Sequence, residues 1–307
     1  MKFSVIIPMF NESAHIGRTL DALLRSASRA GCALEMIVVD NGSTDDSVQI
    51  ARQRGAQVII HPGLKVGALR NRGAALARGD ILAFVDADIE VPEDWFDALR
   101  TGFADPQISG IGMVHLTPPS APWYARTWAD RLMARRAQAR DIDSLPTSNL
   151  SIRAGVFRQL QGFNEQLSSG EDKDLTLRLT RSGGRLRSLP SPAVWHWGYE
   201  ASWREWLARE FWRQGSHVAL IRQQGVSLRL LRFPLAALLH WPLLVGALVA
   251  VLCGAGFLAL TLLAMNLAPA MLMAARNRSA RRRPYLLVQL IVLHWLRWHV
   301  AGAAVAW

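Results

Sequence analysis

From the amino terminus, short apolar runs alternate with longer stretches in which apolar side chains recur every three or four positions. Phe3 to Ile7, Met36 to Val39, Gln57 to Ile60 and Ile81 to Val85 read as strands. His15 to Ala30, Ser47 to Gly55, Leu64 to Arg78 and Trp95 to Phe103 carry helical spacing. This alternation predicts an α/β fold with a mainly parallel, twisted sheet flanked by helices, and ligands at the carboxyl ends of its strands. Polar clusters fall at those ends: Pro8-Met9-Phe10-Asn11-Glu12 after the first strand, Asp40-Asn41-Gly42-Ser43-Thr44-Asp45-Asp46-Ser47 after the second, and Asp86-Ala87-Asp88 after the fourth.

The pattern changes near the carboxyl terminus. Phe233 to Ala275 contains no Asp, Glu, Lys or Arg, long enough for two helices that cross a bilayer at roughly 20 residues each. A reversal is expected near Cys253-Gly254-Ala255-Gly256. The segment from Tyr285 to Trp307 also has span length, but carries His294, Arg297 and His299 at its middle. It either lies in the interface or packs on the hairpin. The expected organisation is a catalytic domain over 1–230, with a nucleotide half at 1–117 and an acceptor half at 118–230. A membrane region over 231–307 follows, its hairpin at about 233–275 and a third helix at about 285–307.

Charge supports this division. The net charge of +11 on 307 residues raises nucleic acid as a partner, but its distribution argues against one. Arg204, Arg209, Arg213, Arg222, Arg229 and Arg232 precede the apolar run, and Arg276, Arg278, Arg281, Arg282 and Arg283 follow it. Basic flanks on both sides predict a hairpin with cytoplasmic ends. Nothing in the first residues reads as an export signal, so the catalytic domain is expected in the cytoplasm, on a multi-pass protein of the inner membrane. The two cysteines, Cys32 and Cys253, make neither a disulfide framework nor a thiolate metal cluster.

Asp86 and Asp88 carry the sharpest chemistry. Residues two apart in an extended chain point the same way, so both carboxylates leave the strand on one face, as a hard divalent cation requires. Two carboxylates leave the shell of Mg²⁺ or Mn²⁺ incomplete, and a diphosphate would complete it. Asp40 to Ser47 also reads as turn chemistry with a helix cap. No Gly-x-Gly-x-x-Gly follows the first strand and no Walker loop is present, so a dinucleotide oxidoreductase or a P-loop enzyme fits poorly.

Taken together, these residues resemble the family 2 glycosyltransferases of the GT-A fold, membrane-anchored and non-processive. The resemblance runs through the three clusters above and Gly67-Ala68-Leu69-Arg70-Asn71-Arg72-Gly73. It continues in Ser148-Asn149-Leu150-Ser151-Ile152-Arg153, in Gly162-Phe163-Asn164-Glu165 and in Gly170-Glu171-Asp172-Lys173-Asp174-Leu175. It covers roughly residues 1 to 215, and motifs in this order are specific where each alone is weak. It implies a nucleotide-diphosphate sugar donor cradled by Pro8, Phe10, Glu12, Asp40 and Ser43, with Asp86 at the ribose or a metal-bound water. Asp88 would ligate the metal, and Arg70 looks like a phosphate or nucleotide contact. It places the general base at Asp172, with Glu171 beside it; the other reading of that pair is helix capping from Ser169. His196 is either a packed core residue or a further metal ligand.

The processive members' Gln-x-x-Arg-Trp motif is missing, which argues against polymer synthesis. Trp203, Trp206, Leu207 and Phe211 form a helical stripe, read either as core or as an amphipathic face on the membrane. Pro118 to Pro146 is expected to cover the acceptor side, and a surface helix near Trp123 to Arg140 fits equally. The implied reaction is inverting transfer to a hydroxyl of a lipid-linked or membrane-associated glycan. The alternatives are transfer to a polyprenyl phosphate, as in dolichol-phosphate-mannose-synthase-like enzymes, and a catalytically silent membrane scaffold.

Overall fold

The computed structural model describes residues 1–131, 139–224 and 234–306. Arg229, Arg232 and Phe233, residues 132–138 of the Pro118 to Pro146 segment, and Trp307 lie outside the described residues. The chain divides into two compact units, one of Met1–Pro118 and Arg135–Gly198, the other of Pro119–Ala134 and Tyr199–Trp307.

Among the described residues the first unit is built on a nine-stranded sheet. Its amino-terminal part follows the sequence pattern closely: β1 (Phe3–Met9), α1 (Ile16–Ala30), β2 (Leu34–Asp40), α2 (Ser47–Gln53), β3 (Gln57–Ile60), α3 (Val66–Leu76) and β4 (Ile81–Val85). There follow β5 (Ile89–Glu90), α4 (Trp95–Gly102), β6 (Ile108–Leu116), β7 (Arg140–Asp141), β8 (Asn149–Arg153), α6 (Ala154–Gln159), α7 (Glu171–Arg181) and β9 (Arg185–His196), with α5 (Trp123–Asp130) belonging to the other unit. Strand order is β3-β2-β1-β4-β8-β6-β9-β5, with β7 on β9. β3, β2, β1 and β4 are parallel. Beyond them the sheet is mixed, because β8 inserts antiparallel between β4 and β6. That insertion follows a long connection, and strand–helix alternation carries no trace of it.

Alternate side chains of β1 explain the continuous apolar runs. Phe3, Val5 and Ile7 enter one core with Trp95, Phe96 and helix α1, while Ile6 enters the opposite core with Phe84, Phe157, Phe163 and Leu175. Both faces are covered, so apolar side chains fill both alternation positions, and the one buried polar side chain of β1, Ser4, is hydrogen-bonded to Glu35 and the Gly79 amide. Helix α3 lies close on the sheet because residue 73 is glycine: a Cβ there would sit 2.5 Å from Ile6 Cγ2 and 3.0 Å from Val39 Cγ2.

The second unit is helical. Of the surface helix expected near Trp123 to Arg140, α5 covers Trp123–Asp130, residues 132–138 lie outside the described residues, and Arg140 itself is in β7. Helix α8 spans Trp203–Gln224. Among the described residues, three further helices are long and apolar enough to cross a membrane: Pro234–Leu252, Gly256–Ala275 and Pro284–Val305. The polar residues at the middle of the last one face protein. His294 packs edge-on to Trp128 at 5.2 Å, Arg297 Nε lies 3.6 Å from a Glu210 carboxylate oxygen, and His299 rests beside Asn266. Buried partners remove the penalty that would attend such groups in lipid. On α8, Trp206 is fully buried while Trp203, Leu207 and Phe211 are exposed. The stripe therefore combines one core side chain with an exposed apolar face.

Candidate functional site

The site forms where the parallel strands end. Strands β1 and β2 stop side by side, with Met9 opposite Asp40, and the loops beyond are laced together. Asn11 N donates to Ser43 Oγ at 2.8 Å, Thr44 N to Asn11 Oδ1 at 2.8 Å, and Glu12 N to Ser47 Oγ at 2.7 Å. Asp40 is buried and organises its own loop: its Oδ2 accepts the Gly42 and Ser43 amides, both at 2.9 Å, and its Oδ1 accepts the Ser43 hydroxyl at 2.5 Å.

A cleft of about 290 Å³ opens over these strand ends, lined by Pro8, Met9, Phe10, Glu12, Asn41, Val66, Leu69, Asp86, Ala87 and Asp88. Pro8, Phe10, Glu12, Asp86 and Asp88, singled out in the sequence, thus share one cavity. Asp40 and Ser43 sit in the loop that supplies Asn41 to its wall. Burial, and then the neighbouring acids Asp88, Asp86 and Asp45, push Glu12 up to about 7.

His196 reaches the same place through strand register. β5 is only Ile89–Glu90, and it pairs antiparallel with the end of β9, setting His196 opposite Ile89. The Trp197 amide then donates to Asp88 O at 2.9 Å, and Trp197 Nε1 to Glu90 Oε2 at 2.8 Å. This pinning brings His196 Nε2 to 3.2 Å from Asp88 Oδ2. Burial alone would raise the Asp88 proton affinity, but the His196 hydrogen bond and charge outweigh it and hold the carboxyl below its ordinary value.

These residues fit a divalent cation. Asp88 Oδ1 is buried without a hydrogen-bond partner, and His196 offers a nitrogen beside the other oxygen. Gly198 keeps the space clear, since a Cβ there would stand 1.8 Å from Asp88 Oδ2. Among the described residues no three His, Cys, Asp or Glu side chains gather to hold a metal by themselves. A cation at Asp88 would therefore take further ligands from substrate oxygens.

Glu171 and Asp172 open helix α7. Its N-cap is Gly170, with no side-chain capping hydrogen bond, so capping from Ser169 is not realised. Asp172 Oδ1 accepts the Lys173 amide at 2.7 Å. Burial raises the Asp172 proton affinity; that hydrogen bond and Arg70 oppose the rise, and Glu171 adds to it. Arg70 is not among the lining residues of the cleft. Arg70 is 3% exposed, and its guanidinium donates from Nη1 to Glu171 Oε1 and from Nη2 to Asp86 Oδ1, both at 2.8 Å.

His115 is a neighbour that sequence reading did not single out. It lies on β6, hydrogen-bonded to Ser148 Oγ at 3.0 Å, with its ring edge-on to His196 at 6.0 Å. The available signal was a histidine near the carboxyl end of an apolar strand.

Comparison with known proteins places this geometry. Residues 4–158 match the family model described as Glycosyl transferase family 2. The pre-mycofactocin glycosyltransferase of Mycobacterium tuberculosis is 30% identical over 231 residues, covering 71% of this chain and 47% of the relative. Glycosyltransferase AglE of Haloferax volcanii is 31% identical over 196 residues, 60% of this chain and 62% of the relative. The chain spans about half the length of the first of these. Among solved structures, the mannosyltransferase PcManGT from Pyrobaculum calidifontis, in complex with GDP-Man and Mn²⁺, superposes with a TM-score of 0.57 at 19% identity, covering 98% of this chain and 86% of that one. S. aureus TarS 1-349 in complex with UDP-GlcNAc superposes with a TM-score of 0.50 at 20% identity, covering 66% and 60%.

Proposed function

The chain belongs to glycosyl transferase family 2 and has its GT-A fold, and from that membership we propose an inverting, metal-dependent glycosyltransferase that uses a nucleotide-diphosphate sugar. Its acceptor is a hydroxyl of a lipid-linked or membrane-associated glycan. The apolar helices anchor it as a multi-pass protein of the inner membrane, with the catalytic domain of 1–230 on the cytoplasmic side and the membrane region from 231 onward. The observation that supports this best is one cleft lined by Pro8, Phe10, Glu12, Asp86 and Asp88 at the strand ends.

In this reading Pro8, Phe10, Glu12 and the Asp40–Ser43 loop receive the nucleoside, and Asp86 takes the ribose. Asp88 and His196 would hold Mn²⁺ or Mg²⁺, which supplies charge neutralisation for the departing diphosphate. An imidazole in the ligand set favours Mn²⁺ over Mg²⁺, which prefers oxygen throughout; the PcManGT complex contains Mn²⁺ as well. Asp172 removes the acceptor's proton as the new bond forms, and its raised proton affinity suits that task. Attack opposite the leaving group inverts the anomeric carbon.

A thermal-shift screen of the full chain in detergent, with UDP-, GDP- and TDP-sugars and Mn²⁺, tests the proposal. A donor that binds the folded state at about 100 times its Kd adds about 2.7 kcal/mol. Cation-dependent stabilisation by one nucleotide class is expected. Stabilisation by none would favour the silent scaffold and overturn the reading.

A further inference from the structure

We infer that Arg70 is a positioning residue, which fixes the helix carrying Asp172 relative to the nucleotide cleft by joining Glu171 to Asp86. This rests on the reading of Asp172 as the base of a sugar transferase.

The geometry carries it. Asp86 follows β4 and lines the cleft, whereas Glu171 is the first residue of α7, far along the chain. Arg70 stands between them with one Nη on each carboxylate at 2.8 Å. Among the described residues its Nε has no hydrogen-bond partner, so the guanidinium is oriented by these two bonds and by the Phe163 ring, whose centroid lies 5.8 Å from Cζ. The side chains of Arg70 and Glu171 are 4% and 10% exposed, which keeps the pair largely away from solvent screening. A planar fork can address two carboxylates in fixed directions, and an ammonium cannot. The nearly buried Glu171 thereby has a cation beside it, while Asp86, its side chain 33% exposed, keeps access to the cleft.

The rest of α3 points to the same role. Lys65 Nζ donates to Gln166 O at 2.7 Å. Asn71 Nδ2 donates to Phe163 O at 2.9 Å and to Glu165 Oε1 at 3.0 Å, while its Oδ1 accepts the Phe163 amide at 2.9 Å. A Cβ on Gly67 would come within 3.3 Å of Phe163 Cβ and 3.6 Å of Glu171 Cβ. Helix α3 thus grips the segment leading into α7 from Phe163 to Glu171, and Arg70 is the member of that grip that also reaches the cleft. Base and donor are brought to register through one guanidinium.

The test separates positioning from binding. The donor is the nucleotide sugar that stabilises the protein in the screen above, and UDP or GDP with Mn²⁺ serves for calorimetry. Arg70→Lys keeps the charge and removes the fork; Glu171→Gln keeps the shape and weakens the other end. A positioning role predicts kcat lower by about a hundredfold in each, with donor KM and nucleotide affinity within about threefold of wild type and a full binding stoichiometry. The double variant should lose little beyond either single one, because both cut the same linkage. Tenfold weaker nucleotide binding with kcat retained in Arg70→Lys, or losses that multiply, would overturn it. If Arg70→Lys does not fold, Glu171→Gln decides alone: unchanged kcat refutes the role. Wild-type protein without transferase activity removes the underlying reading instead.

Discussion

His196 Nε2 lies 3.2 Å from Asp88 Oδ2, although the two residues are far apart in the chain and are joined through the short pairing of β5 with β9. An imidazole held against a carboxylate whose other oxygen has no partner is a ready pair of metal donors. Replacing His196 by Ala should weaken Mn²⁺ binding by about 10- to 100-fold. Titrating Mn²⁺ at fixed UDP or GDP and following thermal stabilisation measures it. An unchanged Mn²⁺ midpoint would return His196 to a packing role.

Gly198 gives a sharper version of the same test. Its missing side chain is what allows Asp88 its place, a Cβ falling 1.8 Å from Oδ2. Gly198→Ala should push the carboxylate aside, since the far end of a side chain moves more readily than backbone. Cation-dependent nucleotide stabilisation should be lost while far-UV circular dichroism stays that of wild type. Retained stabilisation would show that the Asp88 position in this structure does not matter for binding.

For Asp172 the pH dependence follows from sign. Burial raises its proton affinity in the folded protein, so the carboxylate is protonated at pH values above the ordinary carboxylate pKa of about 3.9. A base must be ionised to accept a proton. Transfer should therefore fall as pH drops through that raised value, with the acid limb of kcat/KM displaced upward from where an ordinary Asp would put it. Asp172→Asn should reduce kcat by about 10²- to 10⁴-fold. Considerable activity in this variant, together with a flat acid limb, would point to a polyprenyl-phosphate acceptor, whose oxygen is already ionised.

Within the apolar helices, Asn266 is fully buried, donating to His240 O at 2.8 Å and accepting from Trp295 Nε1 at 2.7 Å. It ties three helices at one point. Asn266→Leu keeps the branched shape, though with larger methyl groups, and removes these hydrogen bonds, and a loss of about 1 kcal/mol is expected for interhelical hydrogen bonds of this kind. Thermal unfolding in detergent, monitored without nucleotide, reads the change. Equal or higher stability of the Leu variant would assign the packing of these helices to shape alone.

Sequence by itself determined much of this protein. Apolar periodicity located β1, β2, β3 and β4 and the helices between them to within a few residues, because burial on both sheet faces leaves an unbroken hydrophobic signature. Clusters at strand ends gave Glu12, Asp86 and Asp88, since a parallel sheet collects its carboxyl ends at one edge. What periodicity cannot contain is which distant segments become neighbours. The insertion of β8 between β4 and β6, the register that sets His196 against Asp88, and the approach of His115 to His196 depend on pairings across the whole chain. Arg70 makes the point most plainly: its motif resembles a phosphate or nucleotide contact, and only tertiary packing decides that Glu171 and Asp86 of the protein itself stand within hydrogen-bond reach of its guanidinium, because burial leaves that group to whichever acids the fold brings near.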